Sequence, residues 1–185
     1  MILFRCLPWN EAVEADARGG ALWFPRLLQG EGRHDAPERY GCLYVSAEPV
    51  AAVVEQLARL AGTVLGPRDL IREGLPLTLA ALSLPETAPL VDLDEPFVLA
   101  EEGLRPSRVA TGDRALTQAD AGALHERHPE AAGLRWWSIH ESQWANVTLF
   151  DRAAPELRVD DVKPLELGDD VVGEAAAFLG LGLAA

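Results

Sequence analysis

Positive charge is scarce in this sequence: 16 Lys and Arg residues stand against 29 Asp and Glu, for a net charge of −13. Phosphate contacts supply most of the affinity of a nucleic-acid binder, so such a protein carries a basic field that this chain lacks. DNA, RNA and anionic membrane surfaces are repelled. A small anionic substrate fits the balance only where arginines gather locally against the global field. Cysteine is nearly absent too. Cys6 and Cys42 lie inside apolar, strand-like segments, cannot build the disulfide framework of a small exported domain, and read as two buried, reduced thiols. No apolar run approaches the roughly 20 residues that span a bilayer. The start "MILFRCLPWNEAVEAD" has no basic stretch followed by an apolar one, as a secretory leader would. The expected location is the cytoplasm, where the "NVT" sequon at Asn146 carries no weight.

Several familiar chemical constellations are missing as well. "LHERHPE" places His125 and His128 three apart, whereas the metal-protease pattern needs four with a glutamate after the first. No third ligand accompanies them, so they read as surface histidines and no metal is expected. There is no Walker-type phosphate loop, "GEGRHD" lacks the spacing of a dinucleotide fingerprint, and "WWSIHESQW" lacks the glycine-flanked serine of a hydrolase elbow. No internal repeat, low-complexity tract or linker interrupts the chain.

What is present is ordinary globular composition over 185 residues, half of them hydrophobic, enough for one domain with a sizeable core. The period of the apolar pattern keeps changing, which calls for mixed strands and helices. Strands are expected at "ILFRCL", "CLYVS", "LPLTLAALSL", "APLVDL", "LRWWSI", "NVTLFD" and within "LRVDDVKPLEL". "PWNEAVEADARGG" reads as a short turn or helix closed by two glycines. Ser46 is placed to cap a helix that has Pro49 in its first turn, runs to about Leu60 and stops at Gly62. A short helix is expected between Phe97 and Leu104, another with a capped start at Thr117 and Asp120, and a terminal one with acidic residues at its beginning. Strands and helices do not alternate regularly, so one α+β domain over residues 1–185 is expected rather than a doubly wound parallel fold.

On a helix turning about 100° per residue, Val50, Val53, Val54, Leu57, Leu60 and Ala61 form one stripe. Glu55 falls opposite, flanked by Ala51, Ala52, Ala58 and Arg59. Periodicity alone makes it an exposed glutamate, although a face of alanines lets a ligand or a second element approach closely. Arg33 sits in a charged loop with Asp35 near it as a salt partner. Tyr44 sits mid-strand, where packing is the commonest role, and Ser138 follows two tryptophans where a backbone-bonded strand serine is expected. None of these residues carries a function by itself.

Together they do. "GRHDAPERYGCLYVSAEPVAAVVE", Gly32 to Glu55, resembles the RES domain pattern of glycine-arginine, an aspartate-proline loop, a leucine-tyrosine strand and an alanine-rich helix ending in glutamate. "GLRWWSIHESQWANVTLFDRA" resembles that family's second signature, and "TGDRALTQADAGALHE" fits its middle. The likeness runs from about Phe4 to Arg152, with no clear match after about Pro155. Known RES members are bacterial toxins of toxin–antitoxin pairs that deplete NAD. Their fold is similar to that of ADP-ribosyltransferases, a mixed to antiparallel β core with flanking helices.

The resemblance implies Glu55, Arg33 and Ser138 as catalytic residues, and Arg33, Tyr44, Ser138, His34 and Arg5 as contacts to NAD. Breaking the nicotinamide–ribose bond builds positive charge on the sugar, which a carboxylate at Glu55 stabilises. An arginine fork at Arg33 suits the pyrophosphate. Tyr44 would meet the nicotinamide end and Ser138 the amide or ribose, with Trp136 or Trp137 walling the pocket. His34 stands where many members carry an aromatic, and imidazole can stack in its place. The acceptor, water or inorganic phosphate, is left open, as is a homo-oligomer. The implied partner is an antitoxin containing a helix-turn-helix. A RES-like binding module without turnover and a transferase acting on a protein acceptor are the alternatives.

Overall fold

The structure, a computed structural model, describes residues 1–184. The fold is α+β. β1 (Ile2–Pro8) opens the chain and is followed by β2 (Cys42–Ser46), α1 (Pro49–Leu57), β3 (Val64–Leu65), β4 (Ile71–Arg72) and β5 (Leu75–Ser83). Next come β6 (Leu90–Asp92), α2 (Pro96–Glu101), α3 (Pro106–Val109), α4 (Arg114–Arg127), β7 (Gly133–Trp137) and β8 (Ala145–Phe150). β9 (Arg158–Pro164), α5 (Asp170–Leu179) and β10 (Gly182–Leu183) complete it. The strands expected from the sequence are all found.

Contacts divide the chain into two compact units. The first holds Met1–Trp23, Val45–Leu84 and the segment from Arg158, and the second holds Phe24–Tyr44 and Pro85–Leu157. In the first unit β5 is paired antiparallel with β1 from Leu77 to Ser83, with β4 at Leu75 and Pro76, and with β9 from Thr78 to Ser83. Alternation along β5 buries Thr78, Ala80 and Leu82 on one face, and Leu77 is buried on the other. α1 packs on β1 and on α5. Ala51 and Ala52 are buried alongside Val53, Val54 and Leu57. The alanines next to Glu55 are therefore packed rather than open, because a side chain of one methyl lets neighbouring backbone approach. The two-residue turn Glu73–Gly74 joins β4 to β5 with positive φ at both residues, 53° and 78°.

In the second unit β8 pairs antiparallel with β7, and β7 pairs parallel with β6. Gly133 opens β7 where a Cβ would stand 2.3 Å from the Thr148 carbonyl oxygen, so the close approach of β8 admits only glycine there. The core gathers Tyr40, Cys42, Leu93, Leu99, Leu124, Leu134, Trp136 and Phe150. Asn146 of the sequon is buried on β8.

Helix starts differ from expectation. α1 is capped at Glu48, which is extended and makes no side-chain cap bond, while Ser46 is the last residue of β2. After Leu57 the helix tightens to a 3-10 turn over Ala58–Leu60. α4 begins three residues before Thr117, with the Asp113 carboxylate accepting from the Leu116 amide. Thr117 is instead a buried residue inside the helix. "PWNEAVEADARGG" forms turns and no helix, and α3, a single turn behind Pro106, was not anticipated. His125 is not a plain surface residue: it stacks on Tyr40 at 4.3 Å between ring centroids and meets the Phe150 edge at 4.8 Å.

Candidate functional site

Arg33 and His34 lie in the loop between Gly30 and Asp35, and this loop is strapped from several sides. Asp35 Oδ2 accepts from the amides of Gly30 at 2.8 Å and Gly32 at 2.7 Å, and its Oδ1 accepts from the Tyr44 hydroxyl at 2.7 Å. Gly32 sits so close that a Cβ would stand 2.5 Å from both the Tyr44 hydroxyl and Asp35 Oδ1. α4 adds the outer strap. The Thr117 hydroxyl donates to the Arg33 carbonyl at 2.6 Å, and Gln118 Nε2 donates to the carbonyls of Gly30 and Gly32 at 2.9 and 2.8 Å. Asp35, read from sequence as a salt partner for Arg33, serves as the knot of the loop.

Arg33 itself is buried rather than solvated. Its Nη1 donates to the carbonyls of Val109 at 2.9 Å and Thr111 at 2.8 Å, just where α3 ends, and its guanidinium lies 5.1 Å from the Trp136 ring centre. A cation over an indole face is stabilised by the ring quadrupole. The result is a fixed positive charge held within the second unit.

His34 is equally enclosed. Its amide donates to the Tyr44 hydroxyl, its carbonyl accepts from the Tyr40 hydroxyl and the Cys42 thiol, and Nδ1 is 2.8 Å from the Thr148 hydroxyl. The ring meets Trp136 edge-on at 5.2 Å, and Trp136 Nε1 donates to the same Thr148 hydroxyl at 3.1 Å. Burial, with the nearby charges of Arg33 and Arg114, pushes the imidazole pKa down to about 3, so the ring is neutral. The Tyr44 hydroxyl, bonded as donor to Asp35 and as acceptor from His34, has its pKa driven up, chiefly by burial.

Ser138 follows β7 and is buried on the same alternation as Leu134 and Trp136. Its hydroxyl oxygen accepts from the His140 amide at 3.1 Å, and its own amide donates to the Trp144 carbonyl. Trp137 is partly buried against the core. The structure thus brings Arg33, His34, Tyr44, Trp136 and Ser138 into one unit, the first four linked through direct contacts. Glu55 and Arg5 belong to the other unit. Glu55 is exposed on α1. Arg5, half-buried on β1, donates from Nη1 to the Ala21 carbonyl at 2.6 Å and more distantly to that of Gly20, and burial lowers its pKa to about 10.

Sequence reasoning missed the supporting roles of Thr148, Thr117 and Gln118, although all three lie within the segments quoted above. A lone threonine on an apolar strand gives no signal of its own. Among the described residues no group of three or more His, Cys, Asp or Glu is arranged to hold a metal. Both cysteines are free and buried, which pushes the Cys6 thiol up to about 12 and raises that of Cys42 as well. No described helix is long and apolar enough to cross a membrane.

A family model, the RES domain, matches residues 3–170. The match extends through β9, beyond the point near Arg152 where the likeness read from the sequence stops. Among curated proteins none matches the chain in sequence. Among solved structures, a chain in the crystal structure of the M. tuberculosis MbcT–MbcA toxin–antitoxin complex is similar over 97% of this chain and 87% of that one, with a TM-score of 0.54 at 17% identity. At that identity the likeness is one of fold. With most of its length matched, the chain belongs to the RES domain family.

Proposed function

We propose that the protein is an NAD-consuming enzyme that cleaves the nicotinamide–ribose bond, by hydrolysis or phosphorolysis, and serves as the toxin of a toxin–antitoxin pair. The RES match over residues 3–170 carries this reading, and we assign Arg33, Glu55 and Ser138 the roles that the resemblance implies. The likeness of fold to a chain of a toxin–antitoxin complex supports it.

In this reading Glu55 sets its carboxylate against the charge that grows on the ribose as nicotinamide departs. Arg33, fixed over Trp136, supplies a preorganised positive charge to the pyrophosphate. Tyr44 keeps the Arg33 loop in place through Asp35 and His34 while its ring meets the nicotinamide end. Ser138 orients the amide or ribose, and His34 and Arg5 complete the contacts to NAD. Water or inorganic phosphate attacks the sugar carbon, and the nicotinamide nitrogen leaves with the bonding pair. The setting is the cytoplasm, and a helix-turn-helix antitoxin silences the enzyme by covering the site.

One observation favours a second reading, a RES-fold binding module without turnover. Arg33 Nη1, both atoms of the His34 peptide and the Tyr44 hydroxyl all have partners inside their own unit. The deciding experiment follows nicotinamide release from NAD, with and without phosphate, for the wild type and Glu55→Ala. Release that depends on Glu55 supports the enzyme. Absence of release under both conditions supports the module, and label transferred onto protein supports a transferase.

A further inference from the structure

The Thr148 hydroxyl on β8 is the meeting point of two ring nitrogens. Trp136 Nε1 lies 3.1 Å from it and His34 Nδ1 lies 2.8 Å from it, and among the described residues it has no other hydrogen-bond partner. All three side chains belong to the second unit, and Thr148 is wholly buried. Hydrogen-bond accounting then fixes where the protons lie. An indole N–H can only donate, so the Thr148 oxygen accepts from Trp136. The hydroxyl has one proton of its own to give, and the acceptor within reach is His34 Nδ1. With the imidazole proton on Nδ1 instead, the oxygen would accept twice and its own proton would be buried without an acceptor. A buried donor left unmade costs enough to move a two-state population by about tenfold or more.

The ring is held against turning away from this choice. The His34 amide donates to the Tyr44 hydroxyl at 2.9 Å, its carbonyl accepts from the Tyr40 hydroxyl at 2.9 Å, and the imidazole meets Trp136 edge-on at 5.2 Å. Thr148 is fixed in turn by the pairing of β8 with β7, where it stands opposite Leu134. The imidazole is neutral, because burial and the charges of Arg33 and Arg114 oppose its protonation, so its single proton sits on one nitrogen or the other.

We propose that Thr148 is a positioning residue that holds His34 in the Nε2–H tautomer, so that the imidazole offers its free edge as a hydrogen-bond donor. Nε2 has no partner among the described residues. The ring lines a cavity of about 10 Å³, about the size of one water, together with Thr117, Asp120 and Leu134. A donor at this edge selects an acceptor atom, an oxygen of a carbonyl, phosphate or hydroxyl, and refuses an N–H group. That consequence for the ligand rests on the NAD-cleavage reading, in which His34 touches NAD; the tautomer itself does not.

The test is a long-range proton–nitrogen correlation spectrum of the full chain at neutral pH without NAD, with the His34 ring nitrogens assigned through bonds to their own backbone. In wild type the unprotonated, downfield nitrogen is expected to be Nδ1 and the protonated one Nε2. Thr148→Val keeps the side-chain shape and removes the hydroxyl. In that variant Nδ1 is expected to leave its hydrogen-bonded position, moving downfield or sharing the proton with Nε2. Thr148→Ser is expected to restore the wild-type spectrum. Wild type with the proton on Nδ1 overturns the proposal, whether or not Thr148→Val folds. A Thr148→Val spectrum with both nitrogens unmoved overturns the role of Thr148. The samples contain no NAD, so a failure of nicotinamide release leaves the tautomer standing, and the opposite tautomer leaves NAD cleavage to its own experiment.

Discussion

At the scale of single residues, the Arg33 loop depends on one absent methyl group. A Cβ at Gly32 would collide with the Tyr44 hydroxyl and the Asp35 carboxylate at once, and neither can retreat without giving up its hydrogen bonds. Gly32→Ala is expected to destabilise the protein by about 2 kcal/mol, seen as a lower denaturant midpoint with an unchanged slope. His34 makes a prediction about acid. Its folded-state pKa, about 3, lies below the unfolded value near 6.5, so the unfolded chain takes up the proton first. Stability from this group is full above about pH 6.5 and is lost as the pH falls towards 3. The denaturation midpoint of wild type should therefore drop more steeply across that interval than that of His34→Gln, which lacks this one group.

At the scale of elements, strands were easier to read than helix starts, and the reasons are physical. β1, β2, β5, β7 and β8 announce themselves because buried strands are continuous apolar runs bounded by turn residues. A cap is harder to read, since every Ser, Thr or Asp ahead of a helical pattern competes for the place. Thr117 and Asp120 look like a start, yet Asp113 holds it, and Thr117 turns inward to the Arg33 carbonyl. Removing that cap is expected to cost about 1 kcal/mol in Asp113→Ala, measurable by thermal or chemical denaturation. The motif named Arg33, His34, Tyr44 and Ser138, which the structure brings into one unit, but not the residues that support them. A periodicity argument sees Arg33 as solvated because nothing local shows that the carbonyls of Val109 and Thr111, some 76 and 78 positions away, come to meet it. Likewise the alanines around Glu55 signalled a close approach, and β1 and α5 are what α1 packs against.

At the scale of the whole molecule, the chain passes between its two units four times, at Trp23/Phe24, Tyr44/Val45, Leu84/Pro85 and Leu157/Arg158. Such interleaving leaves no compositional trace, because the contacts that define it join segments far apart in sequence. It does predict how the chain tolerates cutting. Deleting everything after Leu157 strips β9 from β5 and α5 from α1, exposing the buried faces of Leu82, Val54 and Leu57. The truncated chain is expected to lose cooperative thermal unfolding by circular dichroism rather than to leave a folded remnant.

The same arrangement sets an order of events during synthesis. Glu55 and its helix emerge from the ribosome well before the strand and helix that complete their unit, which follow only after Leu157. A nascent chain thus carries both RES signatures well before it has the scaffold that holds the glutamate. Chains stalled before Arg158 lack β9 and α5, so the first unit completes only after every segment of the second has been synthesised.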